Sequence, residues 1–135
     1  MIIEIDPTKT IDSLRIEFAK YYPFLKLELF DKAHSWQEAS PLDHILNPGL
    51  LLGEIRKIHP GAIEIQGWQK TGSVEQAFKK QFGLNVQIFR RHGENWVQTV
   101  GTDELSLSAQ NEIGQHATED QLHGTDRKTE LEKLL

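Results

Sequence analysis

Between Ile63 and Phe89 the apolar positions change period twice. Ile63 and Ile65 alternate with Glu64, Val74, Ala77, Phe78 and Phe82 recur at helical spacing, and Leu84, Val86 and Ile88 alternate with Asn85 and Gln87. A period of two predicts a strand with one buried face, and a period near 3.6 predicts a helix with one apolar stripe, so the stretch reads strand, loop, helix, strand. Ser73 followed by Gln76 has the pattern of a capping box at the helix start, and Gly83 stops the helix. The same grammar occurs near the N-terminus. Ile3-Glu4-Ile5 answers Ile63-Glu64-Ile65, Ser13-Leu14 answers Ser73-Val74, Phe18 answers Phe78, Lys20 answers Lys80, and Leu25, Leu27 and Leu29 answer Leu84, Val86 and Ile88. In this first copy Thr10, Asp12 or Ser13 caps a helix near 11–22, Leu14, Phe18, Tyr21 and Tyr22 form its stripe, and Pro23 forbids its continuation.

The middle, Asp31 to Pro60, is less regular. Ser40-Pro41-Leu42-Asp43 has an N-cap residue, a proline at the first helical position and an early acid, which predicts a short helix to Leu46 before Asn47-Pro48-Gly49. Leu51, Leu52, Ile55 and Ile58 predict another short helix, with a strand as the alternative, stopped by His59-Pro60-Gly61. Beyond the second copy, the Gly-containing connection within Arg90-Arg91-His92-Gly93-Glu94-Asn95 links two alternating runs as a hairpin would, so Trp96–Val100 should pair antiparallel with the strand before it. Leu105–Gln115 reads as a helix with a thin stripe of Leu107 and Ile113. The charged stretch 116–135 reads as a mobile tail, or as a helix that orders against a partner.

These elements predict an α+β fold in a single domain, residues 1–115, followed by the tail. Two βαβ units, about 2–30 and 62–90, invite a ferredoxin-like sheet with helices on one face, an added hairpin strand and a C-terminal helix. A mixed sheet with helices on both faces is the runner-up.

Composition narrows the function classes. The chain has 135 residues, 38 % of them apolar, enough for a core, and no cysteine, which excludes disulfides and thiol-based metal or catalytic chemistry. No stretch approaches the length of apolar residues that spans a membrane, and the N-terminus lacks a signal-peptide pattern, so the expectation is a cytoplasmic protein. A net charge of −5 argues against general binding to nucleic acid or anionic membranes.

Three stretches carry candidate chemistry. The loop Gly67-Trp68-Gln69-Lys70-Thr71-Gly72-Ser73 enters a helix, and its two glycines have P-loop spacing, but Ser73 stands where the phosphate-binding lysine belongs. Gly67, Lys70, Thr71, Gly72, Ser73 and Val74 are therefore candidates for a small-anion or nucleotide site without P-loop hydrolysis. Arg90, Arg91 and Trp96, near Phe89, His92, Lys79 and Lys80, are candidates for weak stacking on single-stranded nucleic acid, although the aromatic signature of RNA-binding sheets is missing. The six histidines show no HxH or HExxH spacing, and Asp43-His44 would point apart on a helix, so neither a metal, a cofactor nor a catalytic residue is expected. Trp36 and Trp68 fall in loops, where they either pin the loop to the core or mark a contact surface.

The run Gly83-Leu84-Asn85-Val86-Gln87-Ile88-Phe89-Arg90-Arg91, with Asn95-Trp96-Val97-Gln98-Thr99, Thr102-Asp103 and Ala109-Gln110-Asn111, resembles a family of small uncharacterised α/β proteins from Bacteroidetes. The resemblance covers about residues 50–115 and implies no activity and no site residues. The expectation is thus a non-enzymatic protein-interaction module, acting on a protein partner or as a homodimer.

Overall fold

The computed structural model describes residues 1–32 and 42–134, with side chains through residue 120. Its elements are β1 (Ile2–Ile5), α1 (Ile11–Tyr21), β2 (Leu25–Phe30), a 3-10 turn (Leu42–His44), α2 (Leu52–Ile55), β3 (Gly61–Glu64), α3 (Thr71–Phe82), β4 (Asn85–His92), β5 (Asn95–Gln98) and α4 (Leu107–Leu134). The chain is mixed α+β. Trp36, His34 and the expected Ser40-Pro41 helix start lie outside the described residues. The helix expected up to Leu46 is only the 3-10 turn, because Ile45 turns outward to form a bridge with Phe30 on the edge of β2.

The strands pair differently from the expected single sheet. β1 pairs antiparallel with β3, placing Ile3 opposite Ile63, while β2, β4 and β5 form a separate antiparallel sheet in that order. A ferredoxin-like sheet would instead interleave the strands of both units. The reason for the difference is physical: period two states which residues of a strand are buried but not which strand lies alongside. Like pairs with like here. Glu28 faces Gln87, and Leu27 and Leu29 face Ile88 and Val86, so the partners of one half's strands are the matching strands of the other.

Both halves contribute to one core. Ile3, Ile5, Leu14, Phe18, Leu25, Leu27 and Leu29 meet Ile63, Ile65, Val74, Phe78, Leu84, Val86 and Ile88, with Leu52 and Leu107 closing the cluster. Backbone hydrogen bonds recur at corresponding places. The amides of Ile11 and Asp12 donate to the carbonyls of Leu50 and Pro48, as those of Thr71 and Gly72 donate to Leu105 and Asp103. The amides of Leu52 and Gly53 donate back to Lys9 and Pro7, as those of Leu107 and Ser108 donate to Gln69 and Gly67. In each half, the segment after the second strand thus returns to fix the entrance of the half's own helix. The likeness of the two returns was not legible in the sequence, because Pro48-Gly49-Leu50-Leu51-Leu52 and Asp103-Glu104-Leu105-Ser106-Leu107 share little beyond two leucines.

α4 begins two residues later than the sequence suggested and continues through Leu134, across the span read as a tail. It packs on β4 beside Arg90, where Gly114 leaves room: a Cβ there would sit 3.0 Å from the Phe24 carbonyl oxygen and 3.1 Å from Arg90 Cγ.

Candidate interaction surface

The loop between β3 and α3 is built to hold its shape. The Gln66 amide donates to Gln69 Oε1 at 2.7 Å, and the Gln69 amide returns to the Gln66 carbonyl at 3.0 Å. The Ser108 and Leu107 amides at the start of α4 donate to the carbonyls of Gly67 and Gln69. Gly67 sits against α4, and a Cβ there would overlap Ser108 Oγ. The residue between these anchored positions is Trp68, 77 % exposed and, among the described residues, the most exposed of the large apolar side chains. Of the two roles open to a loop tryptophan, Trp68 does not take the core-pinning one.

The same geometry uses the donors that an anion would need. The Thr71 amide and Oγ1 both donate to the Leu105 carbonyl at 2.9 Å, and the Gly72 amide donates to the Asp103 carbonyl at 3.0 Å. The Val74 amide closes the first helical turn on Lys70, and Lys70 Nζ contacts Glu104 Oε2 at 2.6 Å. A helix N-terminus binds anions through outward-pointing free amides. Here Thr71, Gly72 and Val74 are buried with their amides occupied by carbonyls. The capping box is a further correction: α3 starts at Thr71 rather than beyond Ser73, its N-cap is Lys70 without a side-chain bond, and Ser73 is an exposed residue of the first turn. α1 keeps the expected chemistry, with Thr10 Oγ1 accepting from the Ser13 amide at 3.1 Å.

Arg90, Arg91 and Trp96 are divided by the pleat. Arg90 donates to Gln110 Oε1 of α4 at 2.8 Å. Arg91, Phe89 and Trp96 lie on the other face, where the Arg91 guanidinium stands 5.6 Å from the Trp96 ring and the Lys26 ammonium stands 5.2 Å from Trp96 and 5.1 Å from Phe89. Phe89 is buried, and Trp96 is half-buried under its two cations. This is a cation–π cluster that ties β2 to the hairpin through Lys26.

One ionisable group escaped sequence reading. Glu75, on the inner side of α3, is buried, and its Oε2 accepts the Ile88 amide at 2.8 Å where the pairing of β4 with β5 gives out. Burial, reinforced by the nearby Asp103 charge and opposed by the Ile88 amide, pushes its pKa up to about 8. The available signal was position: Glu75 follows Val74 directly and sits three residues before Phe78, on the edge of the apolar stripe.

Among the described residues no group of three histidines and carboxylates is placed to hold a metal ion, and no helix is long and apolar enough to cross a membrane. His44 Nδ1 contacts Asp31 Oδ1 at 2.8 Å, and its Nε2 stands 4.0 Å from Asp43 Oδ2. Compared with protein-family models, curated proteins and solved structures, the chain matches none.

Proposed function

We propose that the protein is a small cytoplasmic interaction module, without catalytic activity, that docks a protein partner on the surface centred on Trp68. The partner is a second copy of the chain or a different protein. One observation carries the reading: an indole 77 % exposed stands on a loop whose flanking backbone is hydrogen-bonded to itself and to α4. Tryptophan is enriched among the residues that dominate binding energy, and presenting it on a pre-ordered loop lowers the entropy lost on association. A solvent-facing indole on a stiff support is otherwise a solubility cost with no packing return.

We also infer that the two halves derive from one unit laid down twice, supported by the corresponding backbone bonds and by the pairing of like strands. On that reading the two loop tips have separated in role. Asp6-Pro7-Thr8 closes on itself, the Thr8 amide donating to Asp6 Oδ1 at 2.7 Å, while the corresponding position of the second half carries Trp68.

The test is Trp68→Ser. The change should leave thermal stability within about 0.5 kcal/mol of wild type, as exposed substitutions do. It should abolish complexes seen by sedimentation, either of the pure chain or of the chain in native lysate. A chain that is monomeric in both settings, or complexes indifferent to residue 68, would remove the proposal. The outer strand β5 offers the competing contact: if Val97→Lys breaks the complex and Trp68→Ser does not, association runs through the sheet edge.

A further inference from the structure

At the C-terminal end of α3 the chain Arg56–His59 runs past Lys79 and Lys80 and encloses a cleft of about 310 Å³ whose apolar wall is Phe82. Its lining holds four of the fifteen lysines and arginines and none of the twenty acids. Elsewhere among the described residues Arg90 and Arg91 donate to the neutral Gln110 Oε1 and Gly93 carbonyl, but other cations stand against carboxylates: Lys9 with Glu17, Arg15 and Lys26 with Glu28, Lys70 with Glu104. In the cleft they do not. Arg56 donates to the Gly83 carbonyl at 3.0 Å and Lys79 to Asn85 Oδ1 at 2.8 Å, both neutral acceptors, and among the described residues Lys57 and Lys80 have no hydrogen-bond or ion-pair partner. Lysines in a last helical turn balance the helix dipole, but that dipole amounts to only about half a charge. Four cations exceed it several-fold.

Arg56 is also held in position. Its guanidinium lies over Gly83, which has φ of 68° and no side chain, so that a Cβ there would overlap it. Its guanidinium shares the lining of the cleft with Lys57, Lys79 and Lys80.

We infer that this cleft binds a small, multiply charged anion bearing phosphate groups. Concentrated positive charge over a small opening suits a compact polyanion, to which arginine offers a planar fork and lysine a point charge. A nucleic-acid strand would need a basic track running well beyond the cleft, and the chain's net charge of −5 works against it there. The cleft is separate from the Gly67–Val74 loop, where the Thr71, Gly72 and Val74 amides are bonded to carbonyls.

The experiment is calorimetric titration of the full chain with inorganic tripolyphosphate at low salt. It compares wild type, Lys57→Glu/Lys80→Glu, and the control pair Lys20→Glu/Lys32→Glu, which changes net charge equally at positions outside the cleft. Wild type should bind saturably, the cleft pair should lose about tenfold or more in affinity, and the control pair less than about twofold. Should charge reversal disturb folding, Lys57→Gln/Lys80→Gln gives the same comparison. Absence of saturable binding, or equal losses in the two pairs, overturns the inference. So does tighter binding of a single-stranded oligonucleotide than of tripolyphosphate with the same dependence on the cleft, which would assign the cleft to nucleic acid.

Discussion

Glu75 places a carboxyl group inside the molecule, and its folded-state pKa of about 8 against an ordinary 4.5 has a definite sign. Between those two values the folded chain keeps a proton that the unfolded chain has released. Stability therefore falls as pH rises through that window, and this group adds no slope above or below it. Glu75→Gln keeps an acceptor for the Ile88 amide and cannot ionise. Urea unfolding at about pH 5 and about pH 8 should show the variant gaining on wild type by a few kcal/mol at the higher pH, since every tenfold change in a proton-binding constant corresponds to about 1.4 kcal/mol. Parallel pH profiles for the two proteins would show that Glu75 is no more desolvated than a surface carboxylate. Gln110 is the polar counterpart, fully buried but satisfied: it accepts from Arg90 and donates to the Thr102 carbonyl and Oγ1 at 2.8 and 3.0 Å. Gln110→Ala takes the acceptor from Arg90, while Thr102 keeps its bonds to the Leu105 amide and the Thr99 carbonyl, and should cost about 1–3 kcal/mol in the same assay. A cost near zero would mean that α4 is not anchored there.

At the scale of elements, the seams between each loop and the returning segment are tuned by size. Pro7 meets Gly53 in one half, and Gly67 meets Ser108 in the other. A Cβ at residue 53 would lie 2.9 Å from Pro7 Cβ and 3.0 Å from the Pro7 carbonyl oxygen, neither of which can swing aside. At residue 67 the obstruction is the Ser108 hydroxyl, which can rotate. Gly53→Ala should therefore destabilise by about 1–3 kcal/mol and Gly67→Ala by less than about 1, as overpacking against fixed and movable atoms respectively. Equal costs measured by denaturant unfolding would contradict this account of the seams. The same seams show what the sequence could convey. The stripe of Val74, Phe78 and Phe82 and the stop at Gly83 were legible, because helix period and a left-handed cap are local properties. The true start of α3 was not, because Thr71 and Gly72 are satisfied by carbonyls more than thirty residues away rather than by Ser73. For that reason the Thr71 and Gly72 amides of a loop with phosphate-binding spacing are bonded to carbonyls of the returning segment.

Across the whole molecule, the strands were legible and their partners were not. Leu25, Leu27 and Leu29 and their counterparts announce a buried face, but a ferredoxin-like sheet and the observed two sheets bury the same residues. Only the hairpin into β5, joined by a two-residue turn at Gly93, carried its pairing in local sequence. The exposure of Trp68 was likewise a three-dimensional fact, since it depends on α4 holding Gly67 and Gln69 while leaving the residue between them free to project. We propose that this projection is the working surface of the protein, and Thr8, in the loop between β1 and α1, supplies an internal control. The most direct measurement installs a photoreactive phenylalanine analogue at residue 68 or at residue 8, irradiates the protein in its native host, and compares the adducts. A discrete protein adduct from position 68 and none from position 8 is the expected result. No adduct from either, or the same adducts from both, would contradict the claim.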